Sequence, residues 1–553
     1  MTMTGDARLK SDAPEMQDGP PVAEARPMVS RLQQVVLCAL LAVFIWVGWI
    51  SRPLLGIDRG DELTYIALSH SLESGSYRES FRPSAPAHVK YPPGYPAWLV
   101  AVRKATGERI DLIPAVNLGL AALSLVMLFG LAKRLEGSWF GLIVIAALVL
   151  NHGMLWIGGS YFSEALFIVL TTGALAATMR ADGGDRRWAY VAIVLALLAF
   201  LTRSAGVAMV FAVGAWLAIG KRHRNELLAY VALSAIVIGG WIGYASYGRE
   251  QSPVRSYLHD FSPQGLSADT FGVAKIAFRI ARSTRDYLTA LLPYELALPS
   301  IPNSYIDNIL TLMLLAICLP VGSMLLWRRS RTAVIYVAVY GAMIVSFPYV
   351  ASRLLEPIIP LVMLVFLLGA WEWRRQLPVR TRNVAIAALL IAVGIGAALS
   401  ARDAVAEVAS CDRNDIYADR RCYTIRARSL ALASHYVRDN AAPGEFALAW
   451  RASSVAFLSG HQTESELIAE QFPSGYLADS LRVRNIRYVI LTPISNAELG
   501  PLSNALLASC MGFRLEHRYP GGVMLFSPTP SSSVTDDACA ALTDFKRRFR
   551  PED

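Results

Sequence analysis

Nine runs of about 17–25 apolar residues constrain this chain more than any motif in it. They fall at 33–52, 112–132, 138–157, 163–179, 227–247, 304–326, 333–350, 357–372 and 384–400. Each is close to the ~20 residues a helix needs to cross a ~30 Å hydrocarbon core, where only helices and closed barrels satisfy their own backbone groups. Two shorter apolar segments, 188–201 and 206–220, raise the expected number of membrane segments to about 11. Hydrophobic residues make up 54% of the 553 and charged residues 17%, which excludes an ordinary soluble enzyme. The expected fold class is a polytopic α-helical membrane protein, its transmembrane part covering 33–400.

Lysine and arginine near span ends set the orientation. Lys133-Arg134, Arg180 with Arg186-Arg187, Lys221-Arg222-His223-Arg224, Arg328-Arg329-Arg331 and Arg374-Arg375-Arg380-Arg382 share one side if the N-terminus is cytoplasmic. The first loop (53–111), the segment 248–303 and the C-terminal part (401–553) then face outward from the inner, cytoplasmic membrane. The formal net charge of +9 belongs largely to the inner loops, so nucleic acid is not an expected partner. Residues 1–32, polar and rich in Pro, Asp and Glu, read as a disordered cytoplasmic leader. The first apolar run starts too late and is too long for a cleavable signal peptide.

One interval breaks the zigzag. Arg186-Arg187 and Lys221-Arg222 both belong inside, yet too few residues separate them for two comfortable spans. Two short helices meeting at Thr202-Arg203-Ser204-Ala205-Gly206 fit instead, and an arginine at that depth needs an anionic companion. In 248–303, the stretch from Val273 to Leu288 alternates cationic and apolar faces at helical spacing, as a helix lying along the membrane surface or a lid over a cavity would.

After Ser400 polar residues return. Phe446–Trp450, Tyr488–Thr492, Phe513–Tyr519 and Val523–Phe526 read as strands, with helical patterns at 424–439, 452–459 and 477–484, predicting a small extracytoplasmic α/β domain. Cys411, Cys422, Cys510 and Cys539 lie here, and an even count facing outward suggests disulfides, paired by proximity as 411 with 422 and 510 with 539.

The chemistry gathers in the outer loops. Asp58, Asp61 and Glu62 cluster in the first loop, ahead of Lys90-Tyr91-Pro92-Pro93-Gly94-Tyr95-Pro96. Asp61 can be read as the N-cap of a short helix, or as a carboxylate in a desolvated cleft with raised proton affinity, the condition for a general base near neutral pH. Lys90 is either a snorkelling anchor or a cation fixed by the Pro-Pro-Gly turn. Arg353 stands before Glu356-Pro357 at an outer helix start, with a bound anion or Glu356 as its partner. In Tyr161-Phe162-Ser163-Glu164 the serine can cap a helix that Glu164 opens. Group transfer from a lipid-linked anion at a membrane face fits these residues. Asp61 would take the proton, with Glu62 and Asp58 as candidates to share the role, while Lys90, Arg203 and Arg353 hold the leaving phosphate and Tyr65, Tyr91 and Glu164 shape the cavity. No nucleotide loop, no cofactor motif and no convincing metal spacing is visible, and a divalent metal stays open. The rivals are a polyprenyl-lipid flippase, which should carry internal repeats, and a non-catalytic lipid-carrier assembly protein.

Taken in order, Asp61-Glu62 with Tyr65, Lys90-Tyr-Pro-Pro-Gly-Tyr-Pro, Ser163-Glu164, Leu201-Thr-Arg-Ser-Ala-Gly206 and Arg353–Pro360 resemble the GT-C superfamily of integral-membrane glycosyltransferases. The nearest branch is that of protein O-mannosyltransferases and lipid A aminoarabinose transferases, and the likeness runs from about residue 35 to 400. It implies roughly eleven membrane segments, an amphipathic outer loop, an extracytoplasmic C-terminal domain, a polyprenyl-phosphate sugar donor and inversion. It further implies that Asp61 is the base and that Lys90 contacts the donor phosphate. The second outer loop departs from the family's often longer or more acidic one. The C-terminal domain carries no acceptor motif, leaving glycan, lipid and protein acceptors open.

Overall fold

The computed structural model describes residues 29–57, 61–220, 224–249, 273–298, 309–347, 349–376, 378–409, 411, 422–472, 475–493, 496–529 and 536–548. Asp58 and parts of 248–303 therefore lie outside the described residues, as does the expected N-terminal leader but for its last four, 29–32.

Helices dominate up to residue 409. Helix α1 (Arg31–Ile50), with a Ser30–Gln33 capping box at its start, is followed by α2 (Glu62–Glu73) and α3 (Gly94–Thr106) of the first loop. Next come α4 (Ile113–Glu136), α5 (Ser138–Val149), α6 (His152–Gly159), α7 (Glu164–Asp182), α8 (Arg187–Thr202), α9 (Val207–Ile219) and α10 (Arg224–Arg249). Among the described residues six helices are long and apolar enough to cross a membrane, and the chain is a multi-pass membrane protein. The run expected to form one span over 138–157 is instead two helices bent by 70°. Asn151 is the cause: its side chain caps α6 from Met154 N–H and donates to the backbone carbonyl of Glu295, so the polar residue ends one helix and starts another.

The α8–α9 corner sits at Thr202–Gly206, as the charge spacing requires. A Cβ at Gly206 would lie 2.4 Å from the Ala199 carbonyl carbon, and one at Gly94 would lie 2.7 Å from the Leu201 carbonyl. Glycine lets the corner close and lets α3 press against it. The Pro92-Pro93-Gly94 turn leads directly into α3, with Pro93 at the N-cap and its carbonyl accepting from Ala97 N–H.

Helix α11 (Val273–Asp286) is the amphipathic one, and Tyr287 just beyond it exchanges hydrogen bonds with Ala351. Helices α12 (Ile309–Arg329), α13 (Arg331–Ser346), α14 (Ile359–Gln376) and α15 (Val379–Ala409) complete the bundle.

The C-terminal part folds around five strands, β1 (Phe446–Ala449), β2 (Thr463–Ser465), β3 (Ile486–Leu491), β4 (Phe513–Arg518) and β5 (Met524–Pro528), in the order β2-β1-β3-β5-β4. β1 pairs parallel with both neighbours, and the last two strands add antiparallel. Cys411 is bonded to Cys422 and Cys510 to Cys539. A shared core joins this part to the first outer loop, with Leu63, Tyr65, Ile66 and Tyr95 packed in the cluster that holds Ala427, Ala431 and Leu458.

Candidate functional site

The loop between α6 and α7 is the anchor. Asn117, wholly buried, donates to the carbonyls of Ser160 (2.8 Å) and Phe162 (3.1 Å), and the Tyr95 hydroxyl donates to that of Tyr161 (2.7 Å). Held in this way, the loop delivers Glu164 to the start of α7 with its carboxylate fully buried. Ser163 does not cap the helix; its hydroxyl accepts from Arg203 at 3.1 Å.

Arginine satisfies Glu164 from two directions. Arg203, at the α8–α9 corner, approaches one carboxylate oxygen to 2.5 Å, and Arg353 Nε reaches the same oxygen at 2.7 Å. Arg353 lies face-on to Phe162, 3.7 Å from the ring centroid, and its Nη1 extends to Asp61 Oδ2 at 3.2 Å. The alternative partner read from sequence, Glu356, is not the one used. Asp61 occupies the N-cap position of α2, as one reading of the sequence had it, but its carboxylate makes no cap bond, and its other oxygen meets Arg451 Nη1 at 3.6 Å. A chain of alternating charge results: Arg203, Glu164, Arg353, Asp61, Arg451.

The two carboxylates of the Asp61-Glu62 pair have opposite fates. Burial raises the proton affinity of Asp61, but Arg353, Arg451 and Lys90 outweigh it and hold the carboxyl well below the usual carboxylate range. The expected raised affinity belongs to its neighbour. Burial pushes Glu62 up to about 8 even though it accepts from Gly56 N–H, which ties the incoming loop to α2. Glu62 points away from the arginines and Asp61 toward them.

Asp61, Tyr65, Tyr91, Arg203 and Arg353 line a cavity of about 740 Å³, together with apolar residues that include Val339, Met343, Ile344, Phe347 and Leu354. Lys90 flanks this cavity without lining it, its ammonium 5.8 Å from the Tyr91 ring centroid. His88 is buried: Glu79 holds one ring nitrogen at 2.7 Å and Tyr91 N–H donates to the other at 3.0 Å, which fixes the Lys90-Tyr91 backbone. Sequence reading missed Asn117, Tyr95, His88 and Arg451. An asparagine in an apolar run and an arginine directly after a strand were the available signals.

No protein-family model matches the chain, and no curated protein matches it in sequence. Solved structures do. ArnT from Cupriavidus metallidurans in the apo state aligns over 90% of this chain and 98% of its own at TM-score 0.55 and 14% identity, and its form bound to undecaprenyl phosphate aligns at 0.54. The archaeal oligosaccharyltransferase AglB from Archaeoglobus fulgidus, in complex with an inhibitory peptide and a dolichol-phosphate, aligns over 94% and 78% at 0.50 and 10% identity. The bundle, the outer loops and the C-terminal sheet of this chain thus share the fold of the GT-C glycosyltransferases.

Proposed function

We propose that this chain is a glycosyltransferase that moves a sugar from a polyprenyl-phosphate donor to a hydroxyl acceptor at the outer face of the membrane, with inversion at the anomeric carbon. One observation carries the reading. Asp61, Arg203 and Arg353 converge at a cavity that Val339, Ala342, Met343 and Ile344 of the apolar helix α13 also line, a combination of polarity that suits an amphiphile with an anionic head. That two neighbours in fold hold polyprenyl-type phosphates supports it.

The donor phosphate binds beside Arg353 and Arg203, with Lys90 flanking. An acceptor oxygen attacks the anomeric carbon from the face opposite the phosphate, and its proton passes to Asp61. The bond from anomeric carbon to phosphate oxygen breaks with its electron pair, and polyprenyl phosphate leaves. The arginines stabilise the growing charge without a proton donor. Ionised at neutral pH, Asp61 is empty of its proton and ready to receive one, and its basicity rises as the donor anion draws Arg353 away. Glu62, neutral at that pH, does not compete for the role. The C-terminal sheet lies on the extracytoplasmic side, where its disulfides persist.

The test follows release of undecaprenyl phosphate by mass spectrometry from wild-type and Asp61→Asn protein in nanodiscs, using undecaprenyl phosphate bearing a hexose or a pentose. Release by the wild type alone supports the reading. Equal carrier binding by both with no release by either replaces it with a lipid carrier or flippase.

A further inference from the structure

The C-terminal sheet is applied to the first outer loop by the carboxyl ends of its parallel strands. β1 lies between β2 and β3, and the chain leaves it for one neighbour and returns to the other, the place where α/β sheets open a crevice. Here that place is occupied by Asp61. Directly after β1, Arg451 adopts a left-handed backbone (φ 61°, ψ 47°), a conformation glycine enters far more readily. Its guanidinium stacks on Trp450, 4.3 Å from the ring centroid, and reaches Asp61. Two residues on, the Ser453 hydroxyl meets that of Thr64, on the first turn of α2, at 3.0 Å. The side chain is therefore clamped on both sides at a position where its backbone alone would favour glycine.

We propose that Arg451 is a positioning residue of the active site, supplied by the C-terminal domain, which holds the Asp61 carboxylate through its second oxygen so that the base stays oriented once the donor phosphate has drawn Arg353 away. This rests on the reading of Asp61 as the base. The groups facing Asp61 are Arg353 with Glu164 and Arg203 behind it, Lys90 and Tyr91 from the loop ahead of α3, Glu62 and Tyr65 on its own helix, and Arg451. Arg353 is shared between Asp61 and Glu164, whereas Arg451 comes to Asp61 from the C-terminal part of the chain.

The experiment compares the pH dependence of kcat at saturating undecaprenyl-phosphate sugar for wild type, Arg451→Ala, Arg451→Gly and Arg451→Lys. An opposite charge at this range favours ionisation. Loss of the cation should move the acid limb upward by about one pH unit or more in the Ala and Gly variants, with kcat falling more than the donor KM changes, while Lys stays near wild type. The glycine variant suits the left-handed backbone and guards against a folding artefact. Superimposable profiles for wild type and Arg451→Ala, or a glycine variant that behaves as wild type, would overturn the inference. Asp61→Asn separates the two levels: if it retains turnover, the base reading itself fails, and if it is inactive while the Arg451 variants keep the wild-type limb, only this inference does.

Discussion

Two charged clusters of similar composition, each including residues of the loop that follows α1, behave differently. At the cavity end, Asp61 and Arg353 keep 21% and 24% of their side-chain surface exposed. At the seam with the C-terminal sheet, Arg82 bridges Glu79 and Glu464 with all three side chains at 6% exposure or less, and Ser84 adds a hydrogen bond to Glu464 at 2.8 Å. A backbone bond from Thr463 N–H to the Phe81 carbonyl and a bond from the Gln462 side-chain amide to the Ser80 carbonyl close the seam further. Both clusters satisfy their charges internally. Only the first presents them to a space large enough for a substrate, so accessibility to the cavity, not charge, separates chemistry from architecture.

The contrast can be broken at either cluster. The largest effect should come from Asp61→Asn, which should cut turnover by about 10²–10⁴ and leave donor binding within a few-fold, as read by undecaprenyl phosphate release and equilibrium binding. A parallel loss of donor affinity would mean that Asp61 is a binding residue. Next, Arg82→Ala strands two buried carboxylates and should destabilise the seam by about 3–5 kcal/mol, seen as faster proteolysis of the C-terminal part; unchanged protection would show that the seam pair is dispensable. Arg353→Ala should then weaken donor binding by about 10–100-fold, with Arg353→Lys recovering part of it.

Glu62→Gln should have the smallest effect and the most specific. The folded-state proton affinity of Glu62 lies near 8, above its ordinary 4.5, so its contribution to stability is complete below about 4.5 and is lost as pH rises through about 8. The wild-type unfolding midpoint should fall between pH 6 and 9 by about 1–3 °C on this account, and the amide should flatten that slope. A slope identical in both proteins would place the pH dependence elsewhere.

Much of the site was legible because its residues are out of place locally. Arg203 between two apolar helices demands an anion, and Glu164 answers it from 39 positions earlier in the chain. The sequence named both but offered Arg353 the wrong partner, since Glu356, a helical turn away, is the obvious choice when nothing reports that α7 starts nearby. The bend at Asn151 was hidden because one asparagine barely lowers the mean apolarity of a run. Strands β1, β3, β4 and β5 fall where their alternation put them, whereas β2, three residues long, carries too little pattern to read.

What the sequence determined by itself is what solvent and chain length set: apolar helices where apolar runs approach the bilayer thickness, a corner where two runs are too short, and a small α/β sheet where polar residues return. The protonation states of Asp61 and Glu62 were decided only by the tertiary structure. The two are adjacent in the chain and alike in chemistry, yet one faces three cations and the other a backbone amide in a dry pocket. The same holds for Arg451, brought beside Asp61 by a contact such as that between Thr64 and Ser453, 389 residues apart. Electrostatic energy depends on distances of a few ångströms in a low dielectric, and no local pattern records a distance between residues that meet only when the whole chain has folded.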